Sequence, residues 1–272
     1  MNELFRRFKA RVWERRGRVP HAYGYNAARW AAIERGLRSR DPRLGWDGAG
    51  FDERVVEYAW MFQCVAALGD GAARVLDAGS VLNHARILAC WREARFPPVS
   101  IVTLAYEGRA HVSPLARYEF ADLRQLPYRD AWFSATISLS TLEHVGLDTA
   151  VYGAPAPASS DPGAEALRAM RELRRVTARG GRLLLSVPFG ARSHRGWLRV
   201  FDAADLERLL SGPGWGNLEI RCFRAAREGW RECSLGDAAN CGYNEPPGGG
   251  SRTAPAWVAA AEAVVLVQAS AS

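Results

Sequence analysis

The chain has 272 residues, of which 48% are hydrophobic and 24% charged, and its formal net charge is +7. This is the composition of an ordinary globular protein, and no apolar run reaches the roughly 20 residues that cross a bilayer. The positive charge favours an anionic partner, but the arginines are mixed with acids along the chain and no base-stacking motif accompanies them, so nucleic acid is not the expected partner.

Residues 1–70 are predicted to form a helical N-terminal extension. The apolar residues of its first segment lie along one helical stripe opposite arginines: Leu4, Phe5, Phe8, Val12 and Trp13. Helical patterns follow over 26–37 and 51–68. A first helix of this kind either caps its own domain or lies on a membrane, and we favour the cap, so membrane contact is not expected. Because no apolar signal segment begins the chain, we expect a cytoplasmic protein.

Residues 71–272 alternate between strand-like and helical patterns, which predicts a single α/β domain with parallel strands. The strand-like runs cover 74–77, 99–105, 131–139, 182–187, 218–223 and 263–267, and the helical runs cover 85–91, 162–177 and 203–210. In the clearest helix, Asp161 is the expected N-cap, Pro162 the first residue, and Gly180 with Gly181 the end. The Gly- and Pro-rich segment 225–256 predicts an inserted substrate loop.

The turn after the first predicted strand reads DAGSVLNH over residues 77–84. A cofactor that lies against such a turn needs glycine where it approaches the backbone, and Gly79 supplies one such position. Val81 stands at the next one, so the GxGxxG pattern of NAD or FAD sites is absent, as is a P-loop.

Four segments in order resemble the class I S-adenosylmethionine (SAM)-dependent methyltransferases, especially the "methyltransferase type 11" group. They are the turn at 77–84, then 122–133, 138–145 and 175–188. Within that group, the LDAGS-type first loop is similar to that of proteins from surface-polysaccharide and natural-product pathways. The resemblance implies a Rossmann-like, mostly parallel seven-stranded sheet with helices on both faces and an antiparallel last strand. It also implies SAM as cofactor and S-adenosylhomocysteine (SAH) as product.

The resemblance further implies which residues bind the cofactor: Asp77, Gly79, Ser80, Asn83, Glu107, Asp122, Leu123 and Ser140. Asp77 and Gly79 would line the methionine half of SAM, and Glu107 would hold the ribose hydroxyls. Asp122 would accept a hydrogen bond from the adenine amine.

His144 is the candidate base for a hydroxyl acceptor, because an ordinary imidazole pKa near 6.5 suits proton removal at neutral pH, and Glu143 would orient it. Alternatively, both residues only close the turn after the fourth strand. His194 follows the fifth strand and is a further catalytic candidate, unless its segment is simply an arginine-rich surface loop.

The acceptor is expected to contact one arginine and several aromatic side chains: Tyr152, Trp197, Arg199, Trp230 and Tyr243. The aromatic rings would stack on a sugar or ring, and Arg199 would pair with a phosphate or carboxylate. No metal site is predicted, because the cysteines lack zinc spacing and Asp148 and Asp161 are too scattered to hold a cation.

The predicted function is therefore SAM-dependent methylation of a small molecule, as O-methylation of a sugar or natural-product intermediate, with an anionic or nucleotide-linked acceptor among the options. Val81 keeps open an isomerase, cyclase or lyase on the same fold that does not transfer methyl groups. A non-catalytic binding protein that uses its basic N-terminal helix is the third alternative.

Overall fold

The computed structural model describes residues 3–39, 48–69, 74–106, 114–150, 153, 158–212, 214–244 and 260–272. The helices are α1 (Glu3–Arg15), α2 (Tyr25–Arg38), α3 (Arg54–Ala67), α4 (Ala85–Glu93), α5 (Pro162–Val176), α6 (Ala203–Leu210) and α7 (Leu235–Ala238). The strands are β1 (Val75–Ala78), β2 (Val99–Thr103), β3 (Ala116–Phe120), β4 (Phe133–Leu139), β5 (Thr177–Pro188), β6 (Ser193–His194), β7 (Arg199–Val200), β8 (Trp215–Ala226), β9 (Gly229–Cys233) and β10 (Ala263–Ala271). A 3-10 turn spans Leu142–His144. None of the helices in these ranges combines the length and apolar character needed to cross a membrane.

The main sheet has the strand order β3-β2-β1-β4-β5-β10-β8-β9. The first five strands in this order run parallel, and β10 lies antiparallel to both β5 and β8. The expected Rossmann-like sheet with an antiparallel last strand is therefore confirmed. Eight strands are described instead of the predicted seven, because the segment expected to be a loop from residue 225 begins as a hairpin. Its turn is Arg227–Glu228, and Gly229, with φ of 133°, begins the added edge strand β9.

Helices cover both faces of the sheet, as predicted, because side chains along each strand alternate between two hydrophobic cores. On one face, Ile137 and Leu184 pack with the helices α2, α3 and α4. On the other face, Leu183 and Leu185 pack with α5 and α6. Neighbouring residues of β5 thus belong to different cores, so the sheet separates the two helical layers.

The three N-terminal helices share a core with the sheet. Trp13 is 1% exposed, and its ring stacks on Phe51 at 4.6 Å between centroids. Trp230, on β9, is also 1% exposed and donates a hydrogen bond from Nε1 to the carbonyl oxygen of Phe51 at 3.1 Å. The structure thus places Trp230 in the interior, where it anchors the N-terminal segment, and not on the substrate-facing surface that the sequence predicted.

Helix α5 begins where the sequence predicted and ends earlier. Asp161 caps it by accepting from the backbone N–H of Ala164 at 2.9 Å. The helix ends at Val176, and Thr177 already belongs to β5. The prediction that Gly180 and Gly181 end the helix is wrong, because these glycines lie in an irregular part of β5. A Cβ on Gly181 would lie 2.7 Å from the carbonyl oxygen of Ala178 and 3.0 Å from that of Ser134, so the local path of β5 and the neighbouring β4 both require glycine there.

Candidate functional site

The strand order reverses between β1 and β4, and in open α/β sheets ligands bind beyond the carboxyl ends of the strands at such a point. The loop after β1 and the turn after β4 meet there. Gly79 has φ of 127°, and a Cβ on it would lie 2.1 Å from Oγ1 of Thr141. The structure therefore brings the predicted cofactor loop and the predicted catalytic turn together, and glycine at position 79 is required by the contact with Thr141.

Three hydrogen bonds hold the loop over residues 77–84 in place. The buried Asp77 accepts from the backbone N–H of Leu82 at 2.7 Å through Oδ2. Tyr58, on α3, donates to the carbonyl oxygen of Val81 at 2.6 Å. Asn83 accepts from the hydroxyl of Tyr118 at 2.9 Å. Val81 is 6% exposed and packs into the core with the N-terminal helices, which explains how the loop accommodates a residue other than glycine.

Among the described residues, Ser80 and Ser140 are the two non-glycine residues of the predicted cofactor set with a left-handed backbone. Their φ angles are 60° and 39°, values that L-residues adopt rarely. Strain of this kind persists where the surrounding structure imposes it, and it concentrates at functional sites. Both residues lie directly beyond the carboxyl end of a strand, which is consistent with a functional cleft at the switch point.

Beneath Ser140 lies a buried polar group that we call the Glu57 cluster, made up of Arg54, Glu57, Ser140 and Ser186. Glu57 has no exposed surface; its Oε1 accepts from the hydroxyls of Ser140 at 2.5 Å and of Ser186 at 2.6 Å. Its Oε2 accepts from Nη1 of Arg54 at 2.9 Å. Sequence reasoning missed this cluster. The available signal was a charged pair, three residues apart, inside the otherwise apolar run of α3.

Two further buried acids, Glu53 and Glu143, lie near the Glu57 cluster. Glu143 is 1% exposed, and burial raises its pKa well above the usual range. Burial, together with the neighbouring Asp52, raises the pKa of Glu53 to about 8. Burial thus disfavours the charged form of both acids, whereas Glu57 forms an ion pair with Arg54.

His144 is fixed by a contact that the sequence did not indicate. Its Nδ1 lies 2.8 Å from the carbonyl oxygen of Trp197, and the two rings stack at 5.4 Å with an interplanar angle of 10°. A carbonyl oxygen only accepts, so Nδ1 donates and the neutral imidazole carries its lone pair on Nε2. Glu143 lies 3.8 Å from that nitrogen, too far for a hydrogen bond, so Trp197 orients the ring in place of the predicted Glu143.

The pKa of His144 also differs from the value assumed in the sequence-based argument. Burial lowers it from 6.5 to about 4, because the charged imidazolium is poorly solvated there. The ring is therefore neutral at physiological pH. It can accept a proton, but as a weaker base than predicted.

Of the remaining predicted substrate and catalytic residues, some lie beside His144 and others lie elsewhere or outside the described residues. Trp197 contacts the ring of Tyr243 edge-on at 6.2 Å, which extends the aromatic row that begins at His144. His194 is exposed and pairs across the β6–β7 hairpin with Arg199. Glu107 and Tyr152 lie outside the described residues, so their predicted roles stay predictions.

The predicted adenine contacts are engaged within the chain. Arg124 binds the carboxylate of Asp122 in two places, with Nε to Oδ1 at 3.0 Å and Nη2 to Oδ2 at 2.6 Å. Burial raises the pKa of Asp122, but the hydrogen bonds from Arg124 outweigh it and lower the pKa overall. The Leu123 side chain is 7% exposed and packs in the core with α5. In this arrangement Asp122 is an ion-pair partner of Arg124 and not an open acceptor for an adenine amine.

No protein-family model and no curated protein matches the sequence. Solved structures are similar at low identity. The [4+2]-cyclase SpnF is 17% identical, with 89% of this chain and 92% of that chain covered and a TM-score of 0.49. The N-methyltransferase NodS from Bradyrhizobium japonicum, in complex with SAH, is 14% identical, with coverages of 89% and 97% and a TM-score of 0.47. The 1,6-didemethyltoxoflavin-N1-methyltransferase from Burkholderia thailandensis is 16% identical, with coverages of 76% and 74% and a TM-score of 0.44.

Proposed function

We propose that this protein is a SAM-dependent methyltransferase that acts on a small molecule by O-methylation of a sugar or natural-product intermediate. The observation that supports it is the convergence of the loop at 77–84, the Glu57 cluster and His144 at the switch point of the sheet. Polar groups of both signs, partly exposed Arg54 and buried acids, are concentrated there in an otherwise apolar interior. Convergent polar groups of this kind are typical of ligand sites.

The methionine end of SAM carries a carboxylate, an ammonium group and a sulfonium. Arg54 would bind the carboxylate, whereas the carboxylate of Asp77 would suit a positive group. When bound, SAM supplies an electrophilic methyl group. Because Asp122 is already paired with Arg124, recognition of the adenine would fall to other groups of the cleft.

The task of this chain in the reaction is to hold the acceptor and receive its proton. His144 would accept the proton at Nε2, while the carbonyl oxygen of Trp197 keeps the ring in the correct tautomer. A base whose conjugate acid has a pKa of about 4 suits a hydroxyl that is already acidic better than an aliphatic one. Among the proposed acceptors, this favours a phenolic or enolic natural-product intermediate over a sugar.

Titration calorimetry with SAH, the more stable ligand, tests the cofactor directly. We expect binding by the wild type and at least tenfold weaker binding by Asp77→Asn, because the amide supports the backbone N–H of Leu82 poorly and the loop shifts. Asp130→Asn, at a side chain that is 79% exposed, is the matched control and should bind as the wild type does. Absence of binding heat at millimolar SAH, from protein that circular dichroism shows to be folded, would exclude the proposal.

A second candidate is an enzyme of another class that keeps the cleft and does not transfer methyl groups. The observation that favours it is the occupation of the cleft wall by the chain itself: Thr141 packs against Gly79, and Tyr58 holds the carbonyl group of Val81. Methyl-labelled SAM distinguishes the two candidates once an acceptor is found. Label in the product supports methyl transfer, and turnover without label supports the isomerase, cyclase or lyase.

A further inference from the structure

Arg199, at the start of β7, is a buried cation without a complete set of hydrogen bonds. Its side chain is nine-tenths buried, with 9% of the residue exposed. Nε and Nη2 are both inaccessible to solvent, and neither donates to an acceptor among the described residues. Burying a charged group that lacks partners costs several kcal/mol, by order of magnitude, and native structures avoid it except where a ligand supplies the partner.

The surroundings of the guanidinium are also suited to an anion. It lies over the ring of Phe201, 4.3 Å from the centroid. On another side, Nη1 lies 3.9 Å from the position that a Cβ of Gly163 would occupy, in the first turn of the 15-residue helix α5. The N-terminus of a helix carries a partial positive charge. Nη1 of Arg208 lies 3.6 Å and Oδ1 of Asp161 3.1 Å from the same position. Two arginines therefore meet one capping carboxylate there, and an added anion would balance the excess positive charge.

The acids near Arg199 do not supply that anion. Asp161 is engaged as the N-cap of α5. Asp205 pairs with Arg192 at 3.0 Å. Burial raises the pKa of Glu143 and so disfavours its charged form, as described above. Burial also lowers the pKa of Arg199 itself, although these acids act in the opposite direction.

We propose that Arg199, Phe201 and the first turn of α5 form a subsite for an anionic group of the acceptor, a phosphate or a carboxylate. Its assignment to the acceptor rests on the proposed function, because Trp197, two residues earlier, contacts the candidate base His144. An arginine fork binds both oxyanions through paired N–H groups, and Nε with Nη2 form one edge of that fork. The subsite would select charged acceptors over neutral ones of the same shape.

The test is thermal unfolding and titration calorimetry of wild type, Arg199→Met and Arg179→Met, without SAM. Each protein is measured with inorganic phosphate, with acetate and with chloride at matched ionic strength. Arg179 is an exposed residue of β5, so its variant is the control for loss of one positive charge and leaves the ion pair of Arg192 with Asp205 in place.

We expect phosphate or acetate to stabilise the wild type and Arg179→Met, and to bind Arg199→Met at least tenfold more weakly. Without either anion, Arg199→Met should be at least as stable as the wild type, because the substitution removes an uncompensated buried charge. If Arg199 had a purely structural role, Arg199→Met would be less stable than the wild type without either anion. The anion that binds the wild type more tightly, phosphate or acetate, shows whether the subsite takes a phosphate or a carboxylate.

Equal stabilisation of wild type and Arg199→Met, or no stabilisation of the wild type by either anion, would overturn the subsite. Because no SAM is present, these outcomes are independent of the cofactor. A protein that binds phosphate through Arg199 but never binds SAH would retain the anion subsite and lose the proposed methyl transfer.

Discussion

Glu57→Gln removes the charge at the centre of the Glu57 cluster while keeping the volume of the side chain. The amide oxygen can still accept from Ser140 and Ser186 if it takes the place of Oε1, but the NH₂ group then faces the donor Nη1 of Arg54. Breaking a fully buried ion pair costs about 3–5 kcal/mol. Because Arg54 is 23% exposed and water can partly solvate it, we expect a loss of about 3 kcal/mol in the free energy of unfolding.

Urea denaturation at pH 7, followed by circular dichroism, measures this loss, and the midpoint of thermal unfolding should fall by roughly 6 °C or more. Glu228→Gln is the control, since Glu228 pairs with Arg231 at the same spacing of three residues but both side chains are at least 60% exposed. That change should cost under about 1 kcal/mol. In a double-mutant cycle, Arg54→Met should recover part of the loss in Glu57→Gln. A loss below about 1 kcal/mol, or additive effects in the cycle, would refute the assignment of a buried pair.

Two further predictions concern the cleft. Gly79→Ala should lower the free energy of unfolding, measured by urea denaturation, by about 3 kcal/mol or more, because its Cβ would overlap Thr141. Gly180→Ala is the control: φ is positive there too, at 75°, but nothing lies within 4 Å of its Cβ, so the loss should be only about 1 kcal/mol. Equal losses in the two variants would show that backbone strain alone, without the overlap, sets the cost. For His144, whose pKa falls from 6.5 to about 4 on folding, the unfolded chain binds the proton more readily between these values. Stability should thus be complete above pH 6.5 and decline by on the order of 3 kcal/mol as the pH falls to 4, and His144→Gln should flatten that decline in urea titrations across this range.

Much of the fold could be predicted because its signals are local. The N-cap at Asp161 followed by proline fixed the start of α5, and the buried strands β1 and β4 read directly from their apolar residues. Strand β3, Ala116–Phe120, was missed because it lies at the sheet edge and most of its residues are partly or fully exposed. The glycine pair at 180–181 was misread because both glycines lie within β5: Gly180 has φ of 75°, and a Cβ on Gly181 would lie 2.7 Å from the carbonyl oxygen of Ala178 in the same strand.

Only the part of the candidate site that depends on local signals was predicted. Positions after β1 and β4 follow from the rule that ligands bind at the carboxyl ends of strands, so the region of Gly79 and His144 could be named. The partners that define its chemistry come from distant parts of the chain. Ser186 lies 129 residues from Glu57, and Trp197 lies 53 residues from His144. Burial by such partners sets the pKa of His144, and it cannot be read from residue types alone.

The hydrogen bond from Trp230 to the carbonyl oxygen of Phe51 joins positions 179 residues apart. The core on that face of the sheet therefore closes only after β9 and β10 have taken their places beside the first three helices. During synthesis, the N-terminal segment gains this contact only after Trp230 has been made. Contacts of such long sequence separation slow folding and leave apolar surface open to chaperones or to aggregation in the interval.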